Sequence, residues 1–341
     1  MYAEIQVRLN LTRRAVFLGL CGAATLCAWN SAATAQRAAR RLVGILGGAT
    51  DFVDGKSRLA EVQEGLRELG FVEGKDFEIA ARWGEGNFDK TQAAARELVA
   101  LKPDVVLTIG TAPTRAVQKL TSYIPIVFAT VADPIGEGYV ASLANPGGNI
   151  TGFTSFESAL ATKWLDILKE VSPDVTRAGL LFNAQTAPGG GITFLREAEA
   201  AGARLGVQVI SQPANDGDDV VRNIDALASG PKSGLFIVPS SFTQFHAEKI
   251  VAGAARHRIP AVYPFRNFVM AGGLLSYGFD LSDQVRQSVV YVARILRGES
   301  PKDLPVQAPN KFSLVINMKT ARDQGFSISL PLQVSADEVI E

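Results

Sequence analysis

Thr50, Thr111, Ala112, Asp133, Asn183, Ser240, Ser241, Tyr263 and Tyr277 carry most of the chemistry this sequence offers, and that chemistry is binding rather than bond cleavage. Hydroxyls, an amide and a carboxylate exchange hydrogen bonds, while phenol rings supply flat apolar walls; together they suit a small polar or amphipathic solute. Thr111 follows Gly110 at the expected start of a helix, where unpaired backbone N–H groups and a positive dipole end would receive a ligand carboxylate. Asp133 would hold an amine, and Tyr263, Phe265 and Tyr277 would flank the body of the solute. Each residue also has a plainer role: Thr111 and the Ser240-Ser241 pair as helix caps, Asp133 before Pro134 as a turn former, the tyrosines as core aromatics.

Reactive constellations are missing from the sequence. Gly44-Ile45-Leu46-Gly47-Gly48 lacks the glycine spacing of a dinucleotide fingerprint, and neither a phosphate-binding P-loop nor a G-x-S-x-G elbow occurs. His246 and His257, eleven positions apart on one expected helix, are the chain's 2 histidines and suit neither a metal site nor a triad. Pro188-Gly189-Gly190-Gly191 is followed by no lysine, which favours a helix start or loop over a phosphate site. No enzyme activity, metal or cofactor is expected. The 34 basic and 34 acidic residues balance, so nothing suggests a nucleic-acid surface.

The elements that would position these residues follow an α/β rhythm. Short β-branched runs at Arg41–Leu46, Phe77–Trp83, Asp104–Ile109 and Pro125–Ala129 alternate with helical stripes at Ser57–Leu69 and Asp89–Leu101. After the turn cluster Asn145-Pro146-Gly147-Gly148-Asn149 the rhythm repeats: helices at Ala159–Val171, Ile192–Leu205, Asp218–Ala228 and Phe242–Arg256, strands at Arg177–Phe182, Val207–Ser211, Gly234–Val238 and Ile259–Tyr263. A helix at Asp283–Arg297 and a strand near Phe312–Ile316 close the chain, crossing back between halves. At 341 residues, two similar lobes are the economical arrangement, with the candidate residues beyond the carboxyl ends of parallel strands. Trp83 and Trp164 are assigned to packing.

The first residues read as an export signal. Arg13-Arg14 precedes an uncharged, mostly apolar run from Ala15 to Trp29 and the small-residue exit Ala33-Thr34-Ala35. Residues 1–35 are therefore expected to be removed, with twin-arginine and general secretion as alternative routes. Cys21 and Cys27 both fall in that segment, which leaves the remainder without thiols.

Further motifs resemble one family. Gln63-Glu64-Gly65-Leu66-Arg67-Glu68-Leu69-Gly70-Phe71-Val72-Glu73-Gly74, Arg82-Trp83, Ile124–Phe128, Asp133-Pro134, Asn145–Gly152, Ala271–Gly278, Phe312–Asn317 and Ala336–Glu341 are similar, in order, to stretches of ABC-transporter substrate-binding proteins related to tryptophan- and tyrosine-binding proteins. The resemblance implies a type I periplasmic-binding fold: two Rossmann-like lobes with parallel sheets, joined by a three-crossover hinge. Lobe 1 would comprise 41–152 plus 281–308 and lobe 2 would comprise 156–277 plus 312–341. It implies a periplasmic monomer that closes on an amino acid or an aromatic or organic carboxylate and hands it to ABC permease subunits. Departures at Gly47–Asp54 and Ser240-Ser241 fall in expected pocket loops and leave the solute open. A sensory protein feeding a receptor, or an exported enzyme on a doubly wound fold, are the alternatives.

Overall fold

The computed structural model describes residues 40–53, 56–155, 158–309 and 311–341, so the expected export segment lies outside the described residues. β1 (Arg41–Gly47) is followed by a small antiparallel pair, β2 (Phe52–Val53) and β3 (Lys56–Ser57), and then by β4 (Phe77–Trp83), β5 (Val105–Ile109), β6 (Ile126–Val131) and β7 (Ile150–Thr154). The five longer strands form a parallel sheet in the order β4-β1-β5-β6-β7. Alternation along each strand splits the apolar residues between two faces. Val43, Ile45, Val105, Leu107, Val127 and Ala129 enter one core, whereas Leu46, Val106, Ile126 and Phe128 enter the other with Leu98 and Val117 from helices Phe88–Ala100 and Thr111–Gln118.

A second sheet repeats the plan. β8 (Arg177–Phe182), β9 (Gln208–Pro213), β10 (Ser233–Ile237), β11 (Ala261–Tyr263) and β12 (Leu275–Gly278) stand in the order β9-β8-β10-β11-β12, and β13 (Ser313–Asn317) and β14 (Glu338–Ile340) extend it. The sheet is not wholly parallel, which corrects the sequence expectation: β13 runs antiparallel to β12, with Ser313 beside Gly278. The chain leaves this lobe at the end of β12 and returns to the same point, so the returning strand has to run away from it. The helix Leu281–Leu296, reached on that excursion, buries Val285, Val289 and Val292 in the core of the first sheet, beside Val62 and Leu66 of helix Arg58–Glu68.

The chain thus passes between the two α/β lobes three times, after β7, after β12 and before β13. Two passages are stitched together where the Thr154 N–H donates to the Gln307 carbonyl (2.7 Å) and the Gln307 N–H donates to Gly152 (3.0 Å). No described helix is long and apolar enough to cross a membrane.

Local corrections have physical causes. The stripe over 242–256 is two helices, Ser241–Phe245 and Ala247–Arg256, because His246 takes φ −95° and ψ 16°, outside helical geometry. Short elements at Met318–Gln324 and Leu330–Ser335 and the edge strand β14 give too little periodicity to be read in advance. Trp164 is fully buried, stacks on Phe194 at 6.0 Å and donates its indole N–H to the Tyr277 carbonyl at 2.8 Å. Trp164→Ala should therefore cost about 3–5 kcal/mol of stability, measured as a fall in the urea midpoint. An unchanged midpoint would show that this ring is not a core support.

Candidate binding cleft between the lobes

The carboxyl ends of the parallel strands in the two lobes face one another, and the loops leaving them enclose a narrow cavity of about 40 Å³. From the first lobe come Gly47–Thr50 after β1, Trp83 at the end of β4, Ile109–Thr111 after β5 and Thr130 in β6. The second lobe contributes Thr186 and Pro188 after β8, Pro239–Ser241 with Gln244 after β10, and Phe265 after β11. Ser155 and Leu281, at two crossovers, and Arg58 complete the lining among the described residues.

Thr111 is the first residue of its helix, and Gly110 precedes it at φ 106° without a side-chain cap, so the first N–H groups of that turn are left to the cavity. Thr130 sits at φ +62°, where the β6–β7 register shifts between Ala129 and Val131. A threonine held in the left-handed region at a bulge marks backbone strain beside the cavity. Trp83, half-buried, and Phe265, 5% exposed, bring one aromatic wall from each lobe.

Arg58 is the residue that sequence reasoning missed. Its side chain is 2% exposed, pairs with Glu61 and donates to Ser282 Oγ at 2.9 Å, yet it lines the cavity. A guanidinium so far from water persists only with close partners, and here it also sets a positive charge at the cavity wall. A signal was present in the sequence. Arg58 occupies the first position of helix Arg58–Glu68, capped by Ser57, where a positive charge opposes the helix dipole. A local rule broken in that way points to function. Behind Arg58 a wider hollow of about 490 Å³ shares Arg58, Phe265 and Leu281, and within it Arg266 pairs with Glu338 at 2.7 Å.

Of the residues singled out in the sequence, Thr50, Thr111, Ser240 and Ser241 line the cavity. Ser240 also caps its helix, accepting the Thr243 N–H at 3.2 Å. The other five lie outside the described lining. Ala112 is fully buried beneath it. Asp133 is exposed at φ +46° and accepts the Gly136 N–H at 2.9 Å, which makes it a turn former. Asn183 is 3% exposed and supports the pocket loop from below, accepting from Thr186 Oγ1 at 2.9 Å and donating to the Ala214 carbonyl at 2.8 Å. Tyr263 is buried and stacked on Phe268 at 5.1 Å, and that burial pushes its phenol pKa up. Tyr277 stacks on Phe312 at 5.9 Å near the hinge. Trp83 changes role in the other direction, since it lines the cavity as well as packing.

Among the described residues the lobes touch at two rims. A Cβ built on Gly48 would lie 1.9 Å from Ser241 Oγ, so the first lobe comes this close only because Gly48 has no side chain. At the other rim the Glu137 carboxylate accepts the Gly189 N–H at 2.8 Å, and Arg115 Nη1 donates to the Gln185 carbonyl at 3.3 Å. Arg115 and Glu137 are themselves paired at 3.0 Å. Burial would lower the Arg115 pKa, but Glu137 and Tyr139 outweigh it and hold it raised; burial, with Glu137 alongside, likewise raises that of Tyr139.

Two hinged α/β lobes with a polar and aromatic cavity between facing strand ends define the architecture of a two-lobed solute-binding protein. Residues 48–340 match the family described as ABC transporter substrate binding protein, and the chain belongs to that family. It is 24% identical over 258 residues to a tyrosine-binding protein of Clostridioides difficile (strain R20291), covering 75% of this chain and 73% of that one. A conserved domain protein from Vibrio cholerae superposes with a TM-score of 0.79 at 26% identity, covering 88% of this chain and 99% of that one. An ABC domain in complex with L-Trp from Streptococcus pneumonia also gives 0.79, at 23% identity, with 89% and 100% covered. The function is accordingly solute binding.

Two outcomes test this geometry. Gly48→Val should hold the lobes apart, increasing the radius of gyration in small-angle scattering; an unchanged radius would mean that the Gly48 contact is not formed in solution. His246, half-buried between Phe242 and Phe245 with Lys249 nearby, has its pKa lowered, chiefly by burial. Unfolded chains then take up a proton before folded ones do, so its contribution is complete above about pH 6.5 and is lost as the pH falls through the lower folded value. Urea unfolding between pH 7.5 and 5 should show a smaller loss for His246→Gln than for the parent, and equal slopes would remove His246 from the account.

Proposed function

We propose that this protein captures a small carboxylate-bearing solute with a flat apolar body in the interlobe cleft, and that it works as the extracytoplasmic binding component of an ABC importer. The observation that carries the reading is the convergence on one cavity of the uncapped helix start at Thr111 and the buried guanidinium of Arg58. Both favour negative charge. Trp83 and Phe265 take the body of the solute between the lobes, and Thr50, Ser240 and Ser241 supply hydrogen bonds around it. Closure removes water from these contacts and is favoured by the solute in turn. The ligands named for two relatives, tyrosine and L-Trp, support an aromatic amino acid or acid as the first class to try.

In this reading residues 1–35 are an export signal, the protein acts in the periplasm as a monomer without enzymatic turnover, and permease subunits receive the solute. The lobes divide at 41–152 plus 281–308 and 156–277 plus 312–341. Family membership supports the transport role, and the division of the apolar residues into separate cores supports the boundaries.

A thermal-shift screen with L-tryptophan, L-tyrosine and their deaminated arylpropionates tests it. A true solute at 100 times its dissociation constant adds about 2.7 kcal/mol of stability. Thr111→Ala and Arg58→Met should each weaken that solute about tenfold or more, equivalent to roughly 1.4 kcal/mol. The solute should be recovered chemically unchanged. Full affinity in Arg58→Met, or conversion of the solute, would overturn the assignment.

A further inference from the structure

We propose that Glu137 is a positioning residue for solute capture: it is the anion that the first lobe inserts into a glycine turn of the second, latching the cleft shut. The solute-capture half of this statement rests on the proposed function above, but the latch itself does not. Pro188–Gly191 forms a tight turn ahead of helix Ile192–Leu205, and Gly189, Gly190 and Gly191 all have positive φ, at 53°, 65° and 82°. Consecutive N–H groups in such turns form concavities that bind anions. The sequence offers no lysine here and no phosphate site; in the structure the Gly189 N–H of the turn is given to a carboxylate from the same chain, while the Gly190 N–H turns back to the Ala187 carbonyl.

The contact is built from both sides. Glu137 Oε1 accepts the Gly189 N–H at 2.8 Å, while Arg115 Nη2 holds the same carboxylate at 3.0 and 3.2 Å. Arg115 extends Nη1 across the gap to the Gln185 carbonyl, 3.3 Å away, so each member of the ion pair grips the other lobe. The Glu137 side chain is 11% exposed in this arrangement. Parting the lobes takes both second-lobe partners away while leaving the Arg115 pair intact. The bond to Gly189 is therefore made in the closed form alone, which is what a latch requires.

The rim is also wired to the cavity. The Tyr139 hydroxyl lies 3.1 Å from the Thr111 carbonyl and 3.3 Å from Glu137 Oε2. Thr111 lines the cavity, so the residue that greets the solute and the residue that crosses to the other lobe share one hydroxyl. Closing the latch thereby fixes the loop that carries Thr111, and Glu137 acts on the solute through that loop without touching it.

Hydrogen exchange of the Gly189 amide in the solute-free full chain reads the latch directly, together with small-angle scattering. In Glu137→Ala the Gly189 amide should exchange about tenfold faster or more than in the parent, as loss of a hydrogen bond to a charged partner implies. The radius of gyration should rise, and amides of β5 and β6 should keep their parental rates. Glu137→Gln, which keeps an acceptor without the charge, should fall between the two. Parental exchange at Gly189 with a parental radius in Glu137→Ala would overturn the proposal. So would equal acceleration at Gly189, β5 and β6, because Glu137 would then be supporting its own lobe and not bridging two.

Discussion

Everything in this molecule depends on the burial of helix Leu281–Leu296 in the core of a lobe whose own strands ended more than a hundred residues earlier. Val285, Val289 and Val292 are at most 1% exposed, and apolar surface so deeply buried is not given up without unfolding. The chain must therefore cross between lobes to place that helix and cross again to complete the second sheet. Three connections in one region leave the lobes free to open and close about it but not to drift, so the strand ends of one sheet stay opposed to those of the other. The cavity exists because of that opposition. Each lobe alone would present only a shallow row of hydroxyls and glycines.

The α/β plan was legible because it is written in long, periodic stretches. β4 and β8 and the helices at 160–171 and 192–205 come within a residue of their expected bounds, since alternation and the helical stripe fix them locally. Direction within a sheet is a different matter. The antiparallel β13 follows from where the chain re-enters the second lobe, a property of the path and not of the five residues Ser313–Asn317. The break at His246 likewise leaves no glycine or proline to announce it.

The site was legible in part and for a clear reason. Strand ends can be found from the sequence, so Thr50, Thr111, Ser240 and Ser241 fall in the lining of the candidate cavity. Which way a side chain turns at a strand end cannot be found that way. Tyr263 and Tyr277 turn into stacks with Phe268 and Phe312, and Asn183 folds back to brace its own loop. Arg58 lies at the start of a helix rather than the end of a strand, so it falls outside that search altogether. The Glu137 contact joins residues 52 positions apart on facing lobes, and no local pattern encodes it.

Gly48 sets a limit of another kind. With Ser241 already against its bare backbone, the lobes have met a hard stop, and further attraction between them cannot narrow the gap. The shut shape is then defined by contact between protein atoms and varies little with the guest inside. Guests of different strength would change how often that shape occurs rather than what it looks like. A partner that recognises the shut outline would receive one uniform message, whichever molecule had been caught.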